Sequence, residues 1–534
     1  MGGMDSTARP PASMRPGSRD LGASSRSTHA RCLRRAASTR IVQVRSHRCA
    51  RLRGECHSDG HSGTQCAEGG PQRLTGAAIT QPGLTEPEGG RLRHTVVMTR
   101  RDALRLAVIA AIASPVAGGC GDGGSGNRGP GTATELELVK SDLERAAGCS
   151  GAIPEVVASL HAFAGGLYGR LATEPGNLVL SPYSVAVALG MTLPGAGGRT
   201  AAEMRDVLGV TSDARFHGGL NALTAHVEGL AGPQDRVDGS GAELELDGAN
   251  QLYGQRGVSW EADFLDLLSR EYGAGLRTVD FENDHEGARA LINDWVAGRT
   301  RDRIPELIPV NVLDQLTRLV LVNALYLKAP WEIPFEKSLT GSMPFHRPDG
   351  SSVDVETMVQ PTLTTTVTQG EGWRAARLAY AGRKLAMTLV LPDAGRMGEV
   401  ESTVTSGGLP DMVSAGRRRM LDLRLPRWTF RTQAPLNDVL HQLGMRRALD
   451  PDEADLRPMT AEDLDLYVSA VVHEGFIAVD EEGTEAAAAT AVVGSAVSAP
   501  VTEPFHVDRP FLFTIYDVEH GTPLFLGRVD DPSA

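Results

Sequence analysis

The chain has 534 residues and a formal net charge of −13, a length that allows more than one domain and a large core without disulfide support. The charge is uneven: residues 1–97 hold fifteen arginines, no lysine and seven acids, which gives them about +8 and leaves about −21 for the remainder. An acidic main body argues against nucleic acid as a partner.

Residues 1–97 have the composition of a segment that does not fold. They contain no Phe, Tyr or Trp and are rich in Arg, Gly, Ser and Pro, so they cannot bury enough apolar surface. We predict either a disordered arm or a mis-assigned extension that is not part of the real protein, and we favour the second. Four cysteines interleaved with histidines suggest zinc, but they form no CxxC pair, and we predict no metal or cofactor: Cys32, Cys49, Cys56 and Cys66.

Residues 98–120 have the pattern of an export signal. Met98 precedes the basic pair Arg100-Arg101, which resembles a twin-arginine signal, and a short apolar run ends in small residues and Cys120. The apolar run is too short to span about 30 Å of hydrocarbon. The end of the segment resembles the lipobox of bacterial lipoproteins. We therefore predict that Met98 is the true start, that Cys120 is lipidated, and that the mature protein is secreted or lipid-anchored at the bacterial cell envelope.

A Gly-rich linker is predicted at 121–146, followed by a globular domain at 147–534. The glycines of the linker have the spacing of a dinucleotide-binding motif. No strand is predicted before them and no helix closely after them, so we do not predict a dinucleotide site. Hydrophobic periodicity predicts these helices: Val156 to Ala172, Thr200 to Leu208, Trp260 to Tyr272, Ala288 to Arg301 and Pro435 to Leu443. Strands are predicted at Leu244 to Tyr253, Leu319 to Lys328, Leu385 to Pro392, Leu421 to Phe430 and Leu464 to Asp480.

The most unusual stretch runs from Asp480 to Pro500. It starts with acids and then has no charged residue from Ala486 onward. As a strand, one of its faces would hold only small or β-branched uncharged side chains and could enter a core: Thr484, Ala486, Ala488, Thr490, Val492 and Gly494. The opposite face starts with Glu485, which we expect to stay in water, and Gly483 lies where a backbone hinge is useful. The alternative is a short Ala-rich helix capped by Thr484.

Three segments resemble one protein family. The run from Glu481 to Thr490 resembles the hinge of the reactive-centre loop of inhibitory serpins, Val507 to Phe513 resembles the serpin signature, and Pro523 to Val529 resembles the final strand of the family. The resemblance covers about residues 147–534. It implies an α+β serpin fold with a large mixed central β-sheet, further sheets, about eight or nine covering helices and an exposed reactive-centre loop. The implied hinge residues are Glu481, Glu482, Gly483, Thr484, Glu485, Ala486, Ala487, Ala488, Ala489 and Thr490.

The resemblance also assigns roles outside the loop. It implies a buried hydrogen-bonded cluster in the main sheet, the shutter, made of Ser181, Ser184, Asn323 and His473. At the upper end of the sheet, the breach, it implies Trp331 and Arg427, with Arg427 as the partner of Glu481. Read from the residues alone, the serines could simply cap a helix, His473 could be a satisfied core histidine, and Trp331 could be core packing. The basic helix by which some serpins bind polyanions has no counterpart, so no polyanion cofactor is expected.

The family's spacing gives the bond that a protease would cut. Fourteen residues beyond Gly483 lies Val497, and counting back from the signature gives the same bond, Val497–Ser498. Ala496 and Ala499 are neighbouring candidates. A small uncharged residue suits an elastase-like pocket, whereas a trypsin-like pocket needs a cation.

The implied function is suicide inhibition of a serine protease by a monomer that is not itself an enzyme. Cleavage of the loop is followed by its insertion into the main sheet, which traps the covalent acyl-enzyme. Two alternatives stay open: a non-inhibitory serpin acting as a binding or chaperone-like protein, and an unrelated exported enzyme. The uncharged inserting face counts against the first. The absence of GxSxG, HExxH and Walker A motifs counts against the second.

Overall fold

The computed structural model describes residues 136–414, 416–485 and 501–534. Within these ranges lie nine α-helices: α1 (Ile153–Leu171), α2 (Pro182–Thr192), α3 (Gly198–Leu208), α4 (Asp213–Glu228), α5 (Ala262–Leu267), α6 (Phe281–Arg299), α7 (Met397–Thr403), α8 (Leu409–Val413) and α9 (Asn437–Leu443). No helix among these residues has both the length and the apolar character that crossing a bilayer requires.

The same ranges contain eighteen strands, which form the sheets described below: β1 (Glu137–Val139), β2 (Leu178–Leu180), β3 (Gly232–Asp235), β4 (Gly241–Gly248), β5 (Gln251–Gln255), β6 (Leu276–Val279), β7 (Leu319–Pro330), β8 (Gly341–His346), β9 (Ser352–Gly370), β10 (Trp373–Ala379), β11 (Leu385–Pro392), β12 (Arg417–Pro426), β13 (Trp428–Pro435), β14 (Ala470–Val479), β15 (Gly483–Thr484), β16 (Glu503–His506), β17 (Phe511–Asp517) and β18 (Pro523–Val529).

The main sheet is built around β7. Its strand order is β1-β6-β5-β7-β15-β14-β13, with β4 added on β7 and β3 on β4. β7 runs antiparallel to β5 and β4 and parallel to β14, so the sheet is mixed.

The predicted burial of β7 on both faces is confirmed, because only Lys328 of its twelve residues is not fully buried. Leu321 and Leu325 belong to the large core that contains α2. The alternate residues Val320 and Val322 belong to the smaller core under α6. A strand covered on both sides needs an uninterrupted apolar run, and the sequence of β7 supplies one.

The second sheet has the order β16-β12-β9-β10-β11-β17-β18-β2, with β8 on β9. The signature segment and the final strand predicted from the sequence lie in and next to β17 and β18, two fully buried neighbouring strands of this sheet. β16 pairs with β12 in parallel over four residues and fixes the chain where it returns from the loop. The two ends of the loop are therefore attached to different sheets, at β15 and at β16.

The predicted linker is too long at its C-terminal end. Residues Glu137–Val139, inside the predicted range 121–146, form edge strand β1 and pair with β6. Ala146 N–H also donates to the Arg270 carbonyl at 2.8 Å. Contacts with the domain therefore begin before the predicted boundary at residue 147.

Two other boundaries differ from prediction for local reasons. The strand predicted over Leu244 to Tyr253 is two strands, β4 and β5, separated at Asn250, whose side chain accepts a hydrogen bond from Ser184 Oγ at 2.7 Å. Helix α6 begins at Phe281 and not at Ala288. After Phe281 its first turn holds only the polar residues Glu282, Asn283 and Asp284 and is kinked at Asp284, so it carries no apolar periodicity.

Candidate functional site: hinge, breach and shutter

The first hinge residues form strand β15 inside the main sheet. Gly483 pairs with Pro330 and Thr484 with Ala329 of β7, and Thr484 also pairs with Val479 of β14. Both pairings are antiparallel. Below β15, strands β7 and β14 pair directly with each other in parallel. The hinge thus already separates the upper ends of two strands that are otherwise neighbours.

Gly483 has no space for a side chain. A Cβ at this position would lie 2.3 Å from the Ala329 carbonyl oxygen and 2.7 Å from Pro330 Cα. Both atoms belong to the backbone of a buried central strand, which cannot move aside cheaply. Only glycine permits so close an approach between the hinge and β7.

Trp331 holds the hinge through its backbone and its side chain. Its N–H donates to the Glu482 carbonyl at 2.8 Å, and its indole Nε1–H donates to the Asp480 carbonyl at 2.9 Å. The indole stacks on Tyr380, with ring centroids 4.6 Å apart and planes 7° from parallel. The Tyr380 hydroxyl in turn lies 2.6 Å from Thr484 Oγ1. Trp331 and Tyr380 therefore hold the hinge at three alternate residues, Asp480, Glu482 and Thr484.

Glu481 is buried and held by a cation. Arg427 donates to its carboxylate, and Thr340 Oγ1 donates to the same oxygen at 2.5 Å. Burial alone would raise the pKa of the Glu481 carboxyl, but the hydrogen bonds from Arg427 and Thr340 together hold that pKa below its ordinary value. The pairing implied by the resemblance is present as a direct contact.

The neighbouring acids stabilise the turn that leads into β15. Asp480 Oδ1 accepts from the N–H groups of Glu482 and Gly483, at 2.8 and 3.2 Å. Burial raises the pKa of Asp480, and these two hydrogen bonds oppose the rise. Glu482 forms an ion pair with Lys337 at 2.9 Å. The turn is therefore fixed by its own side chains before the loop begins.

Glu485 departs from expectation. The sequence predicts that this carboxylate stays in water, yet its side chain is only 9% exposed and is paired with Arg303 in the segment after α6. Burial raises the pKa of Glu485, and Arg303 opposes the rise. Its φ of 52° is left-handed, a conformation unusual for a residue with a side chain. Its N–H still donates to the Ala478 carbonyl of β14 at 2.9 Å, so Glu485 remains attached to the main sheet.

The four shutter residues are in one buried hydrogen-bonded cluster. His473 Nδ1 lies 2.6 Å from Asn323 Oδ1, and His473 Nε2 lies 3.0 Å from Ser181 N. Asn323 Nδ2 donates to the Val472 carbonyl at 3.1 Å. Ser181 Oγ accepts from Ser184 N at 3.2 Å, so Ser181 does cap α2 as well. The cluster connects β2 and α2 to β7 and β14.

The contacts of His473 determine its protonation. The Ser181 N–H is a donor, so Nε2 must accept and carries no proton. Nδ1–H then donates to Asn323 Oδ1. Burial lowers the pKa of His473 to about 4, against the smaller effect of Asn323. At neutral pH the imidazole is therefore neutral, and its protonation would remove the bond to Ser181.

Several predicted residues fall outside the described ranges. The residues concerned are Ala486, Ala487, Ala488, Ala489 and Thr490 of the hinge, the reactive bond Val497–Ser498, and Cys120.

Other contributors to the site were not predicted. Tyr380, Thr340, Arg303 and Lys337 contact the hinge, and Asn250 extends the shutter through Ser184. Each lies far along the chain from its partner in a segment without a recognisable motif. The only usable signal is a bulky aromatic side chain in a strand-rich region, which fits Tyr380 and many other residues equally well.

Comparisons with known proteins agree with this geometry. Residues 158–532 match the family model described as serpin (serine protease inhibitor). The chain is 36% identical over 406 residues to an uncharacterised serpin-like protein of Thermococcus kodakarensis, covering 75% of this chain and 89% of that one. It is 33% identical over 365 residues to the leukocyte elastase inhibitor of Homo sapiens, covering 67% of this chain and 93% of the relative.

Solved structures show the same relationship. The thermophilic serpin tengpin in its native state matches with a TM-score of 0.64 and 26% identity, over 71% of this chain and 94% of that chain. Serpin48 of the insect Tenebrio molitor matches with a TM-score of 0.62 and 30% identity, over 71% and 98%. The chain belongs to the serpin family, and the predicted α+β serpin fold is confirmed.

Proposed function

We propose that this serpin inhibits a serine protease as a suicide substrate. The observation that carries the proposal is β15: the start of the loop is already a strand of the main sheet, bonded on both sides. The closed seam between β7 and β14 lies directly in its path. A loop freed by cleavage would lengthen an existing strand and would not have to begin a new one.

The register of β15 predicts where the remaining loop residues would go. If it continues, the twelve positions from Gly483 to Gly494 face the twelve residues of β7, down to Leu319. The same continuation places Thr490 opposite Asn323 of β7 and opposite His473 of β14. Thr490 would therefore enter the shutter.

Insertion on this register has a defined effect on the shutter. Neighbouring strands lie about 4.8 Å apart, so a strand between β7 and β14 separates Asn323 from His473 by about twice that distance. Their direct hydrogen bond must break, and the Thr490 hydroxyl comes within reach of both side chains. Bonds to the Thr490 hydroxyl would replace the direct bond between Asn323 and His473. Because this side chain is uncharged and can both donate and accept, neither buried side chain would lose its partner.

The energy of insertion is sufficient for a trap. Roughly a dozen additional backbone hydrogen bonds at about 1 kcal/mol net each give on the order of 10 kcal/mol, before apolar burial is counted. A shift of about 1 Å in catalytic groups can slow a reaction roughly 100-fold. Pulling on an acyl-enzyme with this energy would stop its hydrolysis. The uncut fold must hold the strain kinetically.

We propose Val497–Ser498 as the reactive bond and an elastase-like enzyme as the target class. The support is the small, uncharged side chain of Val497 and the similarity to an elastase inhibitor. The test is to mix the purified protein with an elastase and, separately, with trypsin. We expect an SDS-resistant complex with the elastase and a released peptide that begins at Ser498.

Other outcomes of this experiment are informative. Complete cleavage without a complex, together with an unchanged melting temperature of the cleaved form, would contradict trapping and favour a non-inhibitory serpin. A complex with a released peptide beginning elsewhere would keep the mechanism and move the reactive bond, with Ala496 and Ala499 the first residues to consider.

We also propose that the protein is exported and lipid-anchored through Cys120. The support is the sequence of residues 98–120 alone. In a bacterial host, a Cys120→Ala variant should move from the membrane fraction to the soluble fraction. Equal partitioning of the variant and the parent would rule out the anchor.

A further inference from the structure

Two histidines and a glutamate meet where α4 approaches the second sheet. His226 lies in the last turn of α4, and Glu519 and His520 lie in the turn between β17 and β18. One nitrogen or oxygen atom from each of the three lies within 4.8 Å of the others. His226 Nδ1 is 3.9 Å from Glu519 Oε2, and His520 Nε2 is 3.8 Å from Glu519 Oε1.

A buried carboxylate orients one ligand and builds the turn that carries the other two. Asp517 is fully buried, and its Oδ1 lies 3.2 Å from His226 Nε2. The same oxygen accepts from His520 N at 2.8 Å, and Oδ2 accepts from Thr522 N at 2.8 Å. With His226 Nε2–H donated to Asp517, the lone pair of Nδ1 points away from the carboxylate. Carboxylates hold metal-binding histidines in this way.

We propose that His226, Glu519 and His520 bind a zinc ion with Asp517 as the positioning residue. Two imidazoles and one carboxylate are a ligand set that zinc accepts with one coordination position left open. Calcium and magnesium take oxygen ligands almost exclusively and suit this set poorly. Tetrahedral coordination at about 2.1 Å places the ligand atoms about 3.4 Å apart. The required closure is small for two histidines that are 22% and 23% exposed and a glutamate that is 71% exposed.

The site would join the last turn of α4 to the turn between β17 and β18, above the core that these elements share. α4 ends at Glu228, and the next strands of its chain belong to the main sheet, whereas β17 and β18 belong to the second sheet. An ion held between them would act as a crosslink. Because it binds only the folded chain, it would raise the melting temperature with increasing free metal.

The ligands could not be found from the sequence. His226 and His520 are nearly three hundred residues apart, and neither belongs to a CxxC, HExxH or similar motif. The sequence motifs accordingly predict no metal site. Only the packing of α4 against the β17–β18 turn brings them together.

The test uses the full chain after removal of metal with EDTA, titrated with zinc chloride by calorimetry. We expect His226→Ala and His520→Ala each to bind one equivalent fewer than the parent and to lose the zinc-dependent rise in melting temperature. His441→Ala, at an exposed histidine of α9, is the matched control and should behave as the parent. Comparing stoichiometries separates this site from any cysteine and histidine ligands in residues 1–97.

Two further measurements complete the test. Cobalt in place of zinc should give the visible absorption of a four-coordinate ion in the parent and in His441→Ala, but not in His226→Ala. Asp517→Asn should keep the stoichiometry and weaken zinc affinity about 10- to 100-fold. Unchanged stoichiometry and unchanged thermal response in both histidine variants would overturn the proposal.

Discussion

The hydroxyl groups of Thr484 and Tyr380 lie 2.6 Å apart in the buried upper part of the main sheet. Residue 484 is the last described residue of the hinge that lies in line with a sheet strand, and Tyr380 reaches it from the second sheet, 104 residues away in sequence. The contact fixes which face of the loop turns toward the core. Every second residue beyond Thr484 would follow it on that face.

A charge at Thr484 should therefore convert the inhibitor into a substrate. Thr484 is already buried beside Tyr380 in the uncut protein, and a guanidinium there would be far more costly to bury than the threonine. The arginine should therefore displace β15, and the cut loop would lack the strand that it has to lengthen. The protease should still cut the loop, but insertion should be too slow to trap it. The measurement is the fraction of serpin that ends in SDS-resistant complex compared with the fraction that is merely cleaved.

The matched control is Leu316→Arg, which adds the same charge at a position that is 62% exposed and outside the hinge. It should trap protease as the parent does. If Thr484→Arg also forms the complex with unchanged yield, the loop does not insert on the register of β15.

Loss of Arg427 should destabilise the uncut protein. Arg427→Ala leaves the Glu481 carboxylate buried with Thr340 as its remaining side-chain donor, which costs about 1–3 kcal/mol in the free energy of unfolding. Arg457→Ala breaks an ion pair whose arginine is 83% exposed, and is expected to cost less than Arg427→Ala because water screens that pair. Urea unfolding at pH 7 compares the two.

The pH dependence of this effect has a definite sign. The folded-state pKa of Glu481 is lowered, so its stabilisation is present above the ordinary carboxyl pKa and is lost as pH falls through the lowered value. The difference between Arg427→Ala and the parent should thus shrink at acid pH. A difference of the same size at pH 7 and at pH 3 would show that the ion pair is not its cause.

Acid should weaken the shutter through His473. Its pKa is lowered to about 4, whereas an unfolded histidine titrates near 6.5, so stability is complete above about pH 6.5 and is lost as pH falls toward 4. The shift corresponds to about 3 kcal/mol. Burial also lowers the pKa of His217 to about 4, which adds a loss over the same range.

Replacing His473 separates the two histidines. His473→Gln offers a carbonyl oxygen to Ser181 N–H and an amide N–H to Asn323, without a titrating group. Burial also lowers the pKa of His161, so between pH 6.5 and pH 4 the variant should lose less stability than the parent and keep the loss due to His217 and His161. A variant whose pH profile is parallel to that of the parent would show that His473 does not titrate as its burial requires.

The adjacent residue should respond to pH in the opposite direction. Glu474 is 2% exposed, has Arg431 at 3.6 Å, and burial raises its pKa to about 7 despite that arginine. Its ionisation therefore destabilises the folded protein as pH rises from about 4.5 to about 7. Glu474→Gln should increase the free energy of unfolding at pH 8, by up to about 3 kcal/mol, and change little at pH 4. Equal effects at both pH values would contradict this origin.

The sequence predicts those parts of the site that are local or carried by a motif. β7 is a continuous apolar strand, and its predicted bounds, Leu319 to Lys328, fall two residues short of the observed Leu319–Pro330. The hinge is a continuous run whose described residues, 481–485, lie at the upper end of the main sheet, and its other five residues stay a prediction. The shutter set was implied by resemblance, and its four members are in contact. By contrast, the partner of Thr484 and the partner of Glu485 depend on how separate segments pack, and no local pattern specifies Tyr380 or Arg303.

Glu485 shows why strand alternation alone cannot predict which side chains are exposed to water. Strand alternation places this carboxylate on the face opposite to Thr484, which suggests water. In the structure Glu485 has a left-handed φ of 52°, which breaks the alternation, and its side chain is buried in an ion pair with Arg303. Alternation describes a strand only while the strand continues, and the sequence does not state where β15 stops.

If the loop inserts as proposed, its attachment at β16 is what prevents the uncut chain from inserting it. Eighteen residues separate Thr484 from Glu503, where the chain is held to β12 by four paired residues and by Phe505 in its pocket. If heat detaches β16 from β12, the uncut loop becomes long enough to insert into the main sheet. The protein would then lose its inhibitory activity without having met a protease. Warm storage should then yield a full-length, inactive and more heat-resistant monomer, which intact mass and a second melting curve would distinguish from cleaved protein.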